Sequence, residues 1–154
     1  MNPAELFARA RRYPLGTRLF SRAVTWRAPY FASIAPRFLE LRAGFCEVAI
    51  RDRRAVHNHL GTVNAVAMCA MCELAAGTMI DASLPAALRW IPRGMTVRYL
   101  KKAQGDLVVR ATLDEMPGAE HRGDVAVPAR VRNAAGEIVM EADITMYVSP
   151  KRAA

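Results

Sequence analysis

Residues 63–80 read VNAVAMCAMCELAAGTMI, and this run decides the fold. Its one charged residue is Glu73, and most of the others are Ala, Met or Cys. Eighteen such residues reach the lower length limit of a membrane-spanning helix. A central carboxylate is expensive in lipid, however, and the run is poor in Leu, Ile and Phe. We therefore expect a helix that is apolar on all sides because a sheet encloses it.

Alternating apolar and polar residues predict strands on both sides of this helix. A hairpin is expected before it, over residues 34–42 and 45–51, with its turn at Ala43 and Gly44. Pro128 lies inside a later strand and predicts an edge position or a bulge there. After the helix we expect four strands whose short links suit an antiparallel meander, over 94–103, 107–113, 125–133 and 137–148.

A hairpin, one buried helix and a meander together predict an α+β hotdog fold, in which a curved antiparallel sheet wraps around a long central helix. Two further helices are expected over residues 3–27, with a break at Pro14. The chain then divides into N-terminal basic amphipathic helices, residues 1–29, and a hotdog domain, residues 30–150. A length of 154 residues suits one hydrophobic core.

Positive charge is concentrated at the N-terminus. Residues 1–30 contain six arginines and one acid, Glu5, and so contribute +5 to the chain's net charge of +8. Such a segment suits phosphate-bearing partners: nucleic acid, anionic lipid or coenzyme A. No nucleic-acid-binding motif accompanies it, so a nucleic acid partner is not expected. For the amphipathic helices we favour packing on the domain or a partner subunit over contact with a membrane surface.

The three cysteines, Cys46, Cys69 and Cys72, are odd in number and follow no recognisable secretory signal. This usage predicts a reduced, cytoplasmic setting. Cys69 and Cys72 form a C-x-x-C inside the apolar helix, whereas redox motifs of this kind open a helix. We expect core residues there, and no metal site, because four ligands cannot be assembled around the cysteines and His57-x-His59 lacks a third.

Glu73 and the start of the helix are the candidate reactive groups. A lone carboxylate among small apolar neighbours is a candidate general base, the alternative being a buried Glu bonded to an arginine or to backbone. Thr62 or Asn64 is expected to cap the helix, whose free N–H groups suit an oxyanion. Nine residues between Asn64 and Glu73 correspond to about 13–14 Å along the axis. Both groups can act on one carbonyl only if a second subunit brings its own Glu73.

Residues 58–73, NHLGTVNAVAMCAMCE, resemble the active-site segment of hotdog-fold acyl-CoA thioesterases. They are closest to the phenylacetyl-CoA and 4-hydroxybenzoyl-CoA type, in an uncharacterised bacterial branch, and the resemblance spans roughly residues 30–148. That family typically has an Asn, a loop Gly, a His-Gly-Gly and an acid nine residues after the His. Asn58, Gly61 and Glu73 match the Asn, the loop Gly and the acid.

The sequence departs from that pattern at the helix start. Asn64 stands in place of the family's His, and Ala65 and Val66 in place of its two glycines. A backbone N–H still serves as an oxyanion hole after such changes, but Val66 is bulkier than Gly and narrows the approach. These departures motivate an alternative, a hotdog protein that binds acyl-CoA or an acyl chain without turnover.

The resemblance implies hydrolysis of an acyl-CoA thioester. Glu73 would activate water or attack the carbonyl, and the N–H of Ala65 or Val66 would hold the oxyanion. Asn58 would orient the water or the carbonyl. No separate cofactor is expected, since coenzyme A is part of the substrate, and the assembly would be a homodimer with a shared active site or a homotetramer. Hydratase or dehydratase chemistry is a third hypothesis, which His57 and His59 keep open.

A basic cluster follows the helix and could contact the coenzyme A phosphates. The alternative is a solvated strand end. Its members are Arg93, Arg98, Lys101 and Lys102.

Overall fold

The computed structural model describes residues 2–151; residue 1, part of the predicted N-terminal segment, lies outside them. Two short 3₁₀ helices, Pro29–Ile34 and Arg54–Val56, accompany the regular elements. The helices and strands in chain order are α1 Pro3–Ala10, α2 Gly16–Arg27, β1 Arg37–Arg42, β2 Phe45–Ile50, α3 Ala65–Ser83, β3 Leu88–Tyr99, β4 Leu107–Thr112, β5 Gly123–Arg132 and β6 Ile138–Pro150.

The sheet has six antiparallel strands in the order β1-β2-β4-β5-β6-β3, and α3 packs against every one of them. Twelve of the nineteen residues of α3 are buried. By length and composition this helix passes for a membrane span, with a mean hydropathy of 1.4. Because 61% of that segment is buried inside the protein, it is the core helix of the domain. The predicted hotdog fold is confirmed.

The predicted four-stranded meander is wrong in its first strand. β3 pairs with β6 and not with β4, so only β4, β5 and β6 form a meander. β3 also begins at Leu88 and not at residue 94, because a register shift at Pro92 lets the strand continue through a proline. Backbone bonds from Leu100 to Val139 and from Val63 to Ala103 guide the connecting segment past α3. Link length alone did not reveal this crossover.

Pro128 does not mark an edge strand, since β5 lies between β4 and β6. Nor is there a bulge at this position, because the register shift in β5 lies between Val131 and Arg132. β4 pairs with β5 only as far as Ala129, so at Pro128 the strand has a neighbour on one side. The missing N–H of the proline is tolerated because the pairing of β5 with β4 ends at Ala129.

The N-terminal helices cover the free edge of β1. The break expected at Pro14 is observed, and the inner faces of α1 and α2 pack on the domain through Phe7 and Phe20. The Phe20 ring meets Phe38 of β1 edge-on at 5.2 Å. Ser21 of α2 accepts a hydrogen bond from the Phe38 N–H at 3.0 Å. The first strand is shorter than predicted, because Ile34 ends a 3₁₀ helix and is not part of β1.

Candidate active site

A tight turn precedes α3 and sets the position of its first residues. The Asn58 N–H donates to the Thr62 carbonyl at 2.9 Å, and the Gly61 N–H donates to the Asn58 carbonyl at 3.1 Å. Gly61 has a φ of 73°, which favours glycine at this corner. The Asn58 side chain accepts from the N–H groups of Leu60 and Thr62 and donates to the Thr62 hydroxyl. Its amide thus holds the turn, and its role in orienting water stays a prediction.

Asn64 is the N-cap of α3, one of the two residues predicted for that position. Its side-chain oxygen accepts from the Val66 N–H at 2.8 Å, and its own N–H donates to the Val56 carbonyl. The cap occupies the Val66 N–H, so of the two predicted oxyanion donors Ala65 is the one with no hydrogen bond recorded among residues 2–151. The dipole of a nineteen-residue helix lies behind this N–H group.

His57 and Asp52 form a pair beside this turn, which the sequence analysis did not identify. The Asp52 carboxylate accepts from the His57 ring, and its second oxygen accepts from the Gly105 N–H at 2.7 Å. The hydrogen bond from His57 is the main cause that holds the pKa of Asp52 below its usual value, and the Gly105 N–H adds to the effect. The pair ties the segment after β2 to the segment before β4. No pattern in the sequence connects residues 52 and 57 to residue 105.

Glu73 lies half-buried on the least covered side of α3. Val66, Cys69 and Glu73 follow each other at helical spacing, and Val66 is 62% exposed. Tyr99 of β3 lies beside them, with its hydroxyl 3.4 Å from the Cys69 sulfur, and Val97 is two residues earlier on the same face of β3. We call these five residues the open face. Within the described part of the chain, no hydrogen bond or ion pair of the Glu73 carboxylate is recorded. The alternative of an arginine partner is not observed among the described residues, and the predicted space beside this acid stays a prediction.

Two of the three cysteines, Cys46 of β2 and Cys72 of α3, are buried. Burial raises the pKa of Cys72 to about 12 and moves that of Cys46 well above its usual value. The thiolate, which is the reactive and metal-binding form, is therefore disfavoured at both positions. Over residues 2–151, no group of three or more His, Cys, Asp or Glu side chains is placed to hold a metal ion.

Three of the four predicted phosphate contacts are paired with carboxylates. Arg93 binds Asp124 at 3.0 Å, Arg98 binds Glu141, and Lys101 binds Glu137. Lys102 is exposed and has no side-chain partner recorded in the described chain. Exposed pairs of this kind contribute about 0–1 kcal/mol, so a phosphate could replace the carboxylates at little cost. The four cations lie on and just after β3, the strand that borders the open face.

Comparison with known proteins places the chain in a family. Residues 16–148 match the model of DUF4442, a domain of unknown function.

The chain belongs to this family.

Solved structures have the same architecture. A structural-genomics target is 46% identical over 97% of this chain and 99% of its own, with a TM-score of 0.85. A thioesterase family protein from Silicibacter pomeroyi is 18% identical over 85% and 96% of the two chains, with a TM-score of 0.72. A hypothetical thioesterase from Streptococcus pneumoniae, solved with coenzyme A, is 16% identical over 84% and 99%, with a TM-score of 0.69. A search among curated proteins finds no match to the chain.

A groove in this chain lies away from the predicted site residues. A cavity of about 730 Å³ opens between α2 and the hairpin of β1 and β2, and no predicted site residue lines it. Sequence reasoning did place together the residues around the start of α3, because they are close to each other in the chain. Asp52 and Tyr99 were missed because they reach the site through tertiary contacts.

Proposed function

We propose that this protein hydrolyses an acyl-CoA thioester at a site shared between two copies of the chain. The observation that carries the proposal is the Glu73 carboxylate, which is half-buried, has no recorded partner among residues 2–151, and lies on the open face. A half-buried carboxylate without a partner costs folding free energy, so its presence on the central helix favours a functional role. The free thiols of all three cysteines fit the reducing cytoplasm, where we place the reaction.

The distance between Glu73 and the start of α3 supports a shared site. Glu73 and the N-cap of α3 are nine residues apart on one helix, or about 13–14 Å. One carbonyl group cannot contact both. A two-fold partner that packs its own α3 on the open face, running antiparallel, would bring its helix start towards Glu73. The exposed Val66 and Tyr99 support this packing, since both would be covered. The assembly would be a homodimer, or a homotetramer built from two such dimers.

In the reaction, the substrate carbonyl oxygen would accept a hydrogen bond from the Ala65 N–H at the positive end of α3. Glu73 of the other copy would take a proton from water as the water oxygen bonds to the carbonyl carbon, or would attack the carbonyl itself. In the first route the carbon–sulfur bond then breaks, and the coenzyme A thiolate takes the proton from Glu73. In the second route the thiolate leaves as an acyl-Glu73 anhydride forms, and water then hydrolyses the anhydride, restores the carboxylate and supplies the proton to the thiolate. Asn58 keeps the turn, and with it the Ala65 N–H, in position.

The coenzyme A part of the substrate would lie along β3, where Lys102 and the exposed ion pairs of Arg93, Arg98 and Lys101 offer positive charge. The coenzyme A complex of the Streptococcus pneumoniae thioesterase, which has the same fold, supports this class of ligand.

A thiol-release assay tests the proposal. The protein is incubated with aryl and medium-chain acyl-CoAs, and Glu73→Gln is compared with Asp81→Asn, which removes the other acid of the same helix. We expect Glu73→Gln to lower kcat on the order of 10²–10⁴-fold, the contribution of a positioned general base. Asp81→Asn should leave kcat unchanged.

Two results would overturn it. Measurable acyl-CoA binding without thiol release from any substrate would make the protein a non-catalytic acyl-CoA binder. Full activity of Glu73→Gln would refute the mechanism even with hydrolysis established. The shared site is tested by sedimentation at low micromolar concentration, where a fully active monomer would contradict it.

A further inference from the structure

The outer side of α2 carries an exposed apolar row bordered by arginines. Leu15, Leu19 and Trp26 are 62%, 63% and 87% exposed. Leu19 and Trp26 are seven residues apart and so lie on one line along the helix. The exposed Arg18 and Arg22 border this row, and we call these five residues the α2 surface. The sequence favoured packing on the domain, and that packing occupies the opposite side of the helix, where Phe20 is buried.

The groove beside this row is strongly basic. Its volume is about 730 Å³, and Arg18, Arg22, Arg37 and Arg51 line it. No ion pair or side-chain hydrogen bond of these four guanidinium groups is recorded anywhere in residues 2–151. The acid in its lining is Asp106, which already accepts from the Asp52 N–H at 2.9 Å. Four like charges around one groove repel each other, and an anion would remove that cost.

Backbone strain marks the same groove. Leu15 and Ala35 have φ values of 62° and 45°, and over the described residues they are the non-glycine positions with positive φ. Both line the groove. Leu15 in this conformation presents an apolar side chain to solvent. Strained residues of this kind persist where the surroundings hold them for a site.

These features select an anionic membrane as the occupant. A second copy of the chain would bring arginines against arginines in a symmetric contact, which electrostatic repulsion disfavours. Single apolar side chains along one helix, flanked by arginines, fit a bilayer interface, where Trp and Leu enter the boundary and Arg contacts lipid phosphates.

We propose that the α2 surface docks on an anionic lipid bilayer, with Leu19 and Trp26 in the interface and the groove arginines on the lipid phosphates. This docking is independent of the proposed thioesterase activity. It takes place at the β1 side of the sheet and leaves the open face beside β3 free.

Vesicle flotation tests the proposal with the full chain. Vesicles of phosphatidylcholine alone are compared with vesicles that contain phosphatidylglycerol as well, at low and high salt. We expect flotation with the anionic vesicles, which salt weakens. The chain has two tryptophans, so Trp90→Phe isolates the emission of Trp26, which should shift to the blue on binding.

Two double variants locate the contact. Arg18→Gln with Arg22→Gln should weaken binding about thirtyfold, at about fivefold per arginine near an anionic surface. Arg122→Gln with Lys151→Gln removes the same charge elsewhere and should weaken binding far less. Leu19→Ser with Trp26→Ser should abolish insertion while the fold, checked by circular dichroism, is kept.

Three results would refute the proposal. The first is absence of binding to anionic vesicles at low salt. The second is binding without a Trp26 emission shift, or equal weakening by both charge variants, since each means adsorption by net charge alone. The third is a fall in oligomer size in the Leu19→Ser and Trp26→Ser variant, which would make the α2 surface a contact between copies.

Discussion

The two edge strands of the sheet are treated in opposite ways. β1 is closed by its own chain: α2 lies along it, Ser21 binds the Phe38 N–H, and Phe20 packs on Phe38. β3 is twelve residues long, twice the length of β1, and no element of the described chain pairs with its outer edge. Tyr99 on it is 51% exposed.

This difference between a covered edge and an unpaired edge bears on the proposed assembly. An unpaired strand of this length is a template for another chain, and proteins normally shorten or cover it. This chain covers one edge with a helix that a serine joins to the strand. It leaves the other edge open next to Glu73, the carboxylate without a recorded partner. In the proposed assembly the open edge would be the contact between copies, whereas the edge of β1 is already covered by α2 of the same chain.

The largest expected effect comes from a charge on the open face. Tyr99→Glu would place a carboxylate where the proposed partner packs and near Glu73. We expect a monomer by sedimentation and a loss of thioesterase activity on the order of a hundredfold or more, the contribution of the lost general base. Tyr13→Glu adds the same charge at another exposed tyrosine and should change neither property. A Tyr99→Glu dimer with normal activity would remove β3 from the assembly.

A substitution at the closed edge should change the free energy of unfolding. Ser21→Ala leaves the buried Phe38 N–H without a partner, and we expect the free energy of unfolding to fall by about 1–3 kcal/mol. Ser33→Ala removes an exposed bond to the Tyr30 carbonyl and serves as the control in urea denaturation. Equal effects of the two substitutions would mean that Ser21 does not close the edge.

The packing of β3 on α3 is tested at Gly77. A Cβ at this position would lie 2.8 Å from the Trp90 ring, so Gly77 lets the tryptophan of β3 lie against the helix. In Gly77→Ala, overpacking of about 1–3 kcal/mol outweighs a gain in helix propensity of about 0.5–1 kcal/mol. We expect a net loss near 1 kcal/mol by denaturation, with a change in Trp90 emission. Gly94→Ala, which meets open space, should be neutral.

The smallest effect concerns the turn before α3. The pKa of Asp52 is lowered by His57, so its carboxylate stabilises the fold above the ordinary aspartate value near 3.8, and this contribution is lost as the pH falls through the lower folded value. The thermal midpoints of wild type and Asp52→Asn should differ above about pH 4 and converge below it. A difference that persists at pH 2 would assign the effect to packing and not to charge.

The sequence was sufficient for what is local. The buried helix follows from composition within one segment, and spacing narrowed its cap to Thr62 or Asn64 and identified Glu73 as its candidate acid. The predicted hotdog fold followed from the arrangement of those segments. Non-local pairing was not predictable in this way: the partner of β3 depends on how residues 100–106 cross the molecule.

The contacts of the candidate site can also be separated into local and non-local ones. Asn64 was one of two residues predicted for the cap, but the Val66 N–H that it occupies had been predicted as a possible oxyanion donor. The contacts of Asp52 with Gly105 and of Cys69 with Tyr99 could not be predicted, because each joins residues thirty or more apart in the chain. The prediction for Pro128 was wrong for a related reason, since the sheet tolerates this proline only because the pairing of β5 with β4 ends before it.

The open edge of β3 has a consequence for how such a protein changes over time. In a two-fold assembly each residue of an isologous contact occurs twice. If β3 forms the proposed contact, one substitution on it would alter two contacts in the assembly, while one substitution beneath α2 would alter only the packing within each chain. In such an assembly a single mutation on β3 would change the affinity between copies more than it changes the stability of one chain. The shared active site would then be the property most easily gained or lost by a single mutation.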